Sequence, residues 1–484
     1  MKFHARQATN KTHRSGPHIL AKIEANQMNC SIYDSAEEVV NSQPFYVHIY
    51  KGPLSSVTTV HYENKNPDKL WLIENRKEAI DIFCLTSLRS LTLSNSNIQF
   101  TPDIQYLKNL NELIIRNDNG RIGEYFPVEF DQLPLSHMNL SNLLSLKALP
   151  DGFGRKLEIL MLSKIPNLEY LPENLFSLKS LFIEQCPKLT YLPSTIVAAS
   201  NLRELTITRS GLLNIELNNF QEFSYVTFSS NPNLTLVSLI NMNIHGNVDL
   251  SKNDQLSVVI IRNFTRLSLN INSLPSLQVL MLEDISSLLS LDLSKNPSLT
   301  DMTFNNIKDL LSLDMSQCQL FEFPMEILKF GSSLQQLDLS GNKLSSLPDI
   351  FSSMLSGLKR LYLSGNRLNN LAITTPLFHL EELKLNNNTL RSLSGIHKHT
   401  ALRYLILDHN YIEEIPLEMI KLQELVTLSI SNNRLRTIPY RITNLRKLTS
   451  INIKLNPYMS RDESLTIKAE FMLIRPSIRF DSDY

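Results

Sequence analysis

The apolar positions of this chain recur as one word, Leu-x-x-Leu-x-Leu-x-x-Asn-x-Leu, restarted every 22 to 24 residues in its last third. Leu334, Leu337, Leu339, Asn342 and Leu344 fill it, and Leu358, Leu361, Leu363, Asn366 and Leu368 fill it again. The same register continues at Leu380/Leu383/Leu385/Asn388, Leu402/Leu405/Leu407/Asn410, Leu425/Leu428/Ile430/Asn433 and Leu448/Ile451/Ile453/Asn456. The fourth and sixth positions alternate, so both point to one face of a short strand. One turn cannot cover that face alone, and a period in this range is the mark of turns stacked into a solenoid. The Asn follows the strand where the chain must bend. Its amide both donates and accepts, so it suits backbone groups left open by the turn.

Walked backwards, the word restarts at Leu310, Leu288, Phe264, His245, Phe223, Leu202, Leu178, Leu157, Leu135, Leu110 and Leu88, giving about seventeen turns over residues 88–456. The Asn position then reads Asn231, Asn253, Asn272, Asn296 and Cys318; earlier it reads Ser96, Asp118, Leu143, Ile165, Cys186 and Ser210. Between about 202 and 320 a second Leu-x-x-Leu-x-Leu word lies inside each turn, at Leu212/Ile215/Leu217, Leu234/Val237/Leu239, Leu256/Val259/Ile261, Leu277/Leu280/Leu282 and Leu299/Met302/Phe304. Two words predict two strands per turn. Toward the C-terminus that slot instead carries Leu347-Pro348, Ile415-Pro416 and Ile438-Pro439, where proline can open a short helical turn.

These words resemble the leucine-rich-repeat superfamily: typical 22–24-residue repeats in the C-terminal third and two-word, IRREKO-like repeats in the middle. The stretches Pro166-Asn167-Leu168-Glu169-Tyr170-Leu171-Pro172 and Cys186-Pro187-Lys188-Leu189-Thr190-Tyr191-Leu192-Pro193 are similar to repeats of plant resistance receptors and of bacterial effectors delivered into host cells. The resemblance implies an α/β fold, a leucine-rich-repeat solenoid with a curved parallel sheet on the concave face and strands or short helical turns on the convex face. It also implies a protein partner bound on the concave face.

The ends do not repeat. Residues 1–29 read as a flexible arm and 30–87 as a small α+β cap, with strands near Tyr46–Tyr50 and Val57–Tyr62 and a helix over Asp68–Phe83. Residues 457–484 read as a capping helix and tail. Leu465, Ile467, Phe471 and Ile474 form the apolar side of that helix over Asp462–Ile474, and Pro476 stops it.

Composition narrows the function. The 484 residues carry a formal net charge of +0, which argues against a nucleic-acid binder needing a basic stripe. No apolar run is long enough for a membrane span, and Met1–Asn29 has no apolar core of a secretory signal. A cytoplasmic setting is expected, with leaderless secretion into a host cell as the alternative. Cys30, Cys84, Cys186 and Cys318 lack zinc or thioredoxin spacing; the last two occupy the Asn slot and are expected to be buried and reduced.

Catalytic signatures are missing: no phosphate-cradling glycine loop, no Gly-x-Ser-x-Gly elbow, no His-Glu-x-x-His helix. His397 and His399 flank Lys398 in what reads as a solvated connector rather than a metal pair. Some bacterial relatives carry a ubiquitin ligase domain after the repeats, yet no cysteine follows Cys318 here. No enzyme, cofactor or metal is expected, and the chain reads as a monomeric interaction scaffold. A regulatory subunit of a signalling or ubiquitin-ligase complex is the first alternative. An enzyme with an active site in the N-terminal cap is the second.

The register selects the residues free to bind. The fifth position of successive turns gives Asp249, Ser268, Asp292, Asp314, Asp338, Tyr362, Lys384, Ile406, Ser429 and Asn452; the third gives Gln336, Arg360, Glu382, Tyr404 and Thr427. Two groups stand out. Asp292, Asp314 and Asp338 share one slot on consecutive strands, which is either a solvated repeat habit or a docking stripe for a basic segment. Arg360, Tyr362, Tyr404 and Ile406 bring arginine, tyrosine and an outward isoleucine together, the residue types that favour interface hot spots. Lys384 and Glu382 lie between them and are expected to pair with Asp408 and Arg360.

Overall fold

The computed structural model describes residues 4–5, 45–46, 59–64, 88–94, 100, 102–116, 123–220, 223–242, 247–371, 373 and 375–483. The expected helix over Asp68–Phe83, Cys30, Cys84, Ser96 and Asp118 lie outside the described residues. Two compact units divide the chain, Met1–Leu234 and Thr235–Tyr484.

In the first unit one short strand per turn builds a parallel sheet. Ser90–Ser94, Glu112–Arg116, His137–Ser141, Ile159–Ser163, Ser180–Glu184, Glu204–Thr208 and Tyr225–Thr227 follow each other in register. Thr59–Asn64 adds in parallel before Ser90–Ser94, and Phe45–Tyr46 and His4–Ala5 pair antiparallel with it. Every turn start from Leu88 to Leu202 holds the first core position, buried at 2 % exposure or less. On the opposite side of the coil run short 3-10 helices at Val128–Gln132, Asp151–Arg155 and Ser194–Ala198, each preceded by a proline whose fixed φ suits a helix entry.

The second unit repeats the plan. Asn247–Asp249, Ser268–Asn270, Ser290–Asp292, Ser312–Asp314, Gln336–Asp338, Arg360–Tyr362, Glu382–Lys384, Tyr404–Ile406, Thr427–Ser429 and Ser450–Asn452 form its main parallel sheet. The second word of the middle turns is a second sheet, in which Leu236–Ile240, Val258–Phe264, Val279–Ile285 and Asp301–Ile307 pair in parallel. After Pro324, Pro348, Pro416 and Pro439 the second strand gives way to short helical turns, at Met325–Ser333, Phe351–Met354, Leu417–Lys421 and Tyr440–Asn444.

The asparagines tie the turns together. Asn388 accepts from the Leu368 amide at 3.0 Å and donates to the Leu363 and Leu385 carbonyls at 2.9 and 3.0 Å. Asn410 and Asn433 repeat the arrangement one and two turns later. Each amide thus satisfies three buried backbone groups that the corner leaves open. Cys318 fills the slot with a thiol that donates to the Leu293 carbonyl at 3.0 Å, while its own amide donates to Asn342 Oδ1. Immediately before the slot sits a left-handed residue in nearly every turn, including Lys164, Arg209, Lys252, Lys295, Gln317 and His409.

One turn start departs from the sequence reading. The strand facing Asn247–Asp249 is Ser268–Asn270, so its turn begins at residue 266 and not at Phe264. Phe264 belongs to the second-sheet strand before it, paired with Ile285 and buried. The ladder slot of this turn is therefore Leu274, whose amide donates to Asn296 Oδ1, and not Asn272. A slip of two residues keeps the same face inward, so alternation cannot detect it.

After Asn456 the chain forms the helix Arg461–Ile474, started by Ser460 whose hydroxyl accepts from the Glu463 amide. Ser464, Ile467 and Phe471 are its buried residues, whereas Leu465 and Ile474 face solvent. The tail beyond Pro476 is ordered into the main sheet: Arg479–Asp481 pairs in parallel with Ser450–Asn452, and Phe480 packs on Phe471.

Candidate functional site on the main sheet

The candidate residues stand on the outward rows of the second unit's main sheet, between core leucines that are fully buried. Leu337, Leu361, Leu383 and Leu405 are 0 % exposed, so the side chains on either side of each must point away from the core.

The acidic column is real but incomplete. Asp292 faces Asp314 and Asp314 faces Asp338 on adjoining strands. The register correction puts Asn270, not Ser268, before Asp292; its side-chain amide donates to Asp249 Oδ1 at 2.9 Å. Each carboxylate already serves its own corner. Asp292, Asp314 and Asp338 accept the amides of Ser294, Ser316 and Ser340 at 2.9, 2.8 and 2.8 Å. Asp292 also accepts from Asn272 at 2.7 Å. Partial burial, with the Asp314 charge adding to it, pushes the Asp338 carboxyl above its usual range against the pull of those hydrogen bonds.

After Asp338 the column changes character. Asp338 faces Tyr362, Tyr362 faces Lys384, and Lys384 faces Ile406. Glu382 organises the group: it accepts from the Tyr362 hydroxyl at 2.9 Å and pairs with Lys384 at 2.8 Å. The Lys384 ammonium lies 4.5 Å from the centre of the Tyr362 ring, a cation–π contact. Burial first, then the bond to Glu382, pushes the Tyr362 phenol up to about 12, so it stays a donor throughout the neutral range. The expected Lys384–Asp408 and Glu382–Arg360 pairs are replaced by this internal set. Arg360 turns instead to Gln336, 2.8 Å away, because Glu382 is already filled. Asp408 is taken by the neighbouring corner, accepting from the Ser429 hydroxyl, the Ser431 amide and the Ser431 hydroxyl. Tyr404 is 39 % exposed beside Arg403, and Ile406 is half-buried next to it.

The sequence reading passed over a second outward group, in the first unit. The same third and fifth positions there carry Ile114, Ile159, Met161 and Phe182, and Met161 directly faces Phe182 on the next strand. Met161 is 37 % exposed. The signal was present, since the register that selects Tyr362 also selects these residues when extended before position 200.

His399 is not in a solvated connector. It occupies the position three residues before a turn start, where Leu422 and Leu445 sit in later turns, and it is fully buried. Its Nδ1 accepts from the Leu377 amide at 3.1 Å, which takes that nitrogen from any metal pair with His397. Among the described residues no group of three or more His, Cys, Asp or Glu side chains could hold a metal ion. Among them, too, no helix is long and apolar enough to cross a membrane.

Two family models match parts of the chain. The family model described as Leucine rich repeat matches residues 400–457, and that described as Leucine Rich repeats (2 copies) matches residues 332–376. These matches place leucine-rich repeats in the last third of the chain. Among solved structures, a leucine-rich-repeat protein of Leptospira interrogans is similar at 23 % identity, over 83 % of this chain and 91 % of that one, with a TM-score of 0.33. An internalin of Listeria monocytogenes is similar at 16 % identity, over 89 % and 88 % of the two chains, with a TM-score of 0.29. The structure of the Toll–Spatzle complex of Drosophila is similar at 19 % identity, over 82 % of this chain and 58 % of that one, with a TM-score of 0.41. No curated protein matches.

Proposed function

We propose that this protein is an interaction scaffold that captures a protein partner on the outward face of its main sheet, with no catalytic step of its own. The observation that carries this reading is the cluster on strands Arg360–Tyr362, Glu382–Lys384 and Tyr404–Ile406. Arg360 with Tyr362 and Tyr404 with Ile406 stand on the two strands that flank Glu382–Lys384, and Glu382 fixes Tyr362 and Lys384 in place between them. Side chains already held by hydrogen bonds lose little freedom on binding, which favours affinity. Tyr and Arg supply the contact area that interface centres use.

The acidic column Asp292, Asp314 and Asp338 would flank that contact and favour a basic segment of the partner. Asp408 would support the contact by holding the Ser429–Ser431 corner. Action as a bacterial effector on host proteins rests on the resemblance of the repeat words. A regulatory subunit, or an enzyme site in the N-terminal cap, would share the same scaffold.

The test is affinity capture with the full chain and with Tyr362→Ala/Tyr404→Ala, both checked for equal melting. Loss of the captured partner in the double variant is the expected result. Equal recovery from both proteins would remove this cluster as the site.

A further inference from the structure

The second sheet of the C-terminal unit has an outward face unlike that of the main sheet in the same turns. On Leu236–Ile240, Val258–Phe264 and Val279–Ile285 the inward residues Val237, Leu239, Val259, Ile261, Leu280 and Leu282 are buried, as a repeat requires. The residues between them point away from the core, and most of them are apolar too. Leu236, Val258 and Val279 form one row across the three strands, and Ile260 and Met281 face each other in the next. The main sheet of the same turns provides the contrast, for its outward residues are Asn247, Asp249, Ser268, Asn270, Ser290 and Asp292. Parallel strands that read as continuous apolar runs, as Val258-Val259-Ile260-Ile261 does, belong to sheets covered on both faces. The patch is bounded. The next strand turns Asp301, Thr303 and Asn305 outward beside Val279, Met281 and Glu283.

We infer that this face is the self-association surface of the protein, and that a second copy of the chain covers it. The charges on the patch favour that occupant. Its polar edge carries one cation and one anion, Arg262 and Glu283, adjacent on neighbouring strands and 2.7 Å apart. A strongly charged partner finds no complement there. A twofold-related copy does, since Arg262 of each chain can approach Glu283 of the other around a shared apolar centre. A two-fold interface needs this kind of self-complementary patch. The in-register strands suit face-to-face sheet packing, whose spacing is roughly 10 Å. With a formal net charge of +0, two copies also meet without long-range repulsion. The surface lies on a different sheet from the proposed partner site, so the two readings stand or fall separately.

The experiment is sedimentation velocity on the full chain over a wide range of concentrations. The expected species has twice the 55.4 kDa chain mass, and Ile260→Lys shifts it to the monomer by weakening association at least tenfold (~1.4 kcal/mol). Ile260→Thr keeps β-branching and replaces the lysine variant if that one does not fold. Asp314→Lys, on the other sheet, leaves the dimer intact. A wild-type chain that stays monomeric throughout overturns the inference, as does a folded Ile260 variant that dimerises like the parent.

Discussion

The imidazole Nδ1 of His399 accepts a hydrogen bond from the backbone amide of Leu377, one turn earlier in the coil. Accepting at Nδ1 places the ring proton on Nε2, which is buried and has no hydrogen-bond partner among the described residues. In later turns the equivalent amides, those of Leu422 and Leu445, donate to the Met419 and Ile442 carbonyls of their own helical turns. For Leu377 the histidine of the next turn is an acceptor instead.

This arrangement makes stability depend on pH. Burial, with Lys398 and His397 adding to it, pushes the His399 imidazole down from 6.5 to about 4. The unfolded chain therefore takes up a proton more readily than the folded one. Stability is full above pH 6.5, falls as pH drops from there toward about 4, and levels off below, with a total loss of roughly 3 kcal/mol. Urea melts at neutral pH and near the lower value should show the difference in the parent and a much smaller one in His399→Leu. An unchanged slope in that variant would assign the effect elsewhere.

Leu361→Ala should destabilise the protein by about 2–5 kcal/mol, because Leu361 is fully buried between turns. Tyr362→Ala, one residue along, should cost clearly less, since its ring lies on the outward row. Thermal or chemical melts of the pair check the register directly. Reversed costs would turn the strand inside out.

Asp338 separates charge from hydrogen bonding. Asp338→Asn keeps an oxygen for the Ser340 amide and removes the repulsion with Asp314, so stability should hold or rise by a few tenths of a kcal/mol. Asp338→Ala leaves that amide without its acceptor and should cost about 1 kcal/mol. A melting comparison at neutral pH distinguishes the two. If both variants lose stability equally, the charge itself contributes.

Cys186 and Cys318 should resist thiol reagents in the folded protein. Both are buried, and burial pushes each thiol up to about 11, so the reactive thiolate is scarce at neutral pH. In a Cys30→Ser/Cys84→Ser background, labelling should begin only when urea unfolds the coil. Rapid labelling without denaturant would show an open corner at one of these sites.

The repeat could be read from the sequence because it depends on local spacing: Leu361, Leu383 and Leu405 are core for the same reason, and each asparagine of the ladder stands at a fixed offset from its strand, where it closes its own corner and bonds the turn before. The second sheet was equally legible from its second leucine word. Arg360, Tyr362 and Tyr404 were placed outward by that register alone. Their partners were not, since which of Gln336, Asp408 or Glu382 a side chain reaches depends on rotamers and on competing donors. Phe264 misled because a two-residue slip preserves the inward face. His399 misled because its ring accepts a backbone amide of another turn, and no local pattern carries that information.

The left-handed residue before each ladder slot has a consequence for how the coil can be tuned. Most turns place a lysine, glutamine, arginine or serine there, and only Gly341 and Gly365 meet the positive φ without steric cost. An L-residue gives up roughly 1–2 kcal/mol in that conformation. The bends thus form a row of independent adjusting screws. Glycine at Lys252 or Lys295 would tighten one bend at a time while both sheets keep every side chain they show to other molecules.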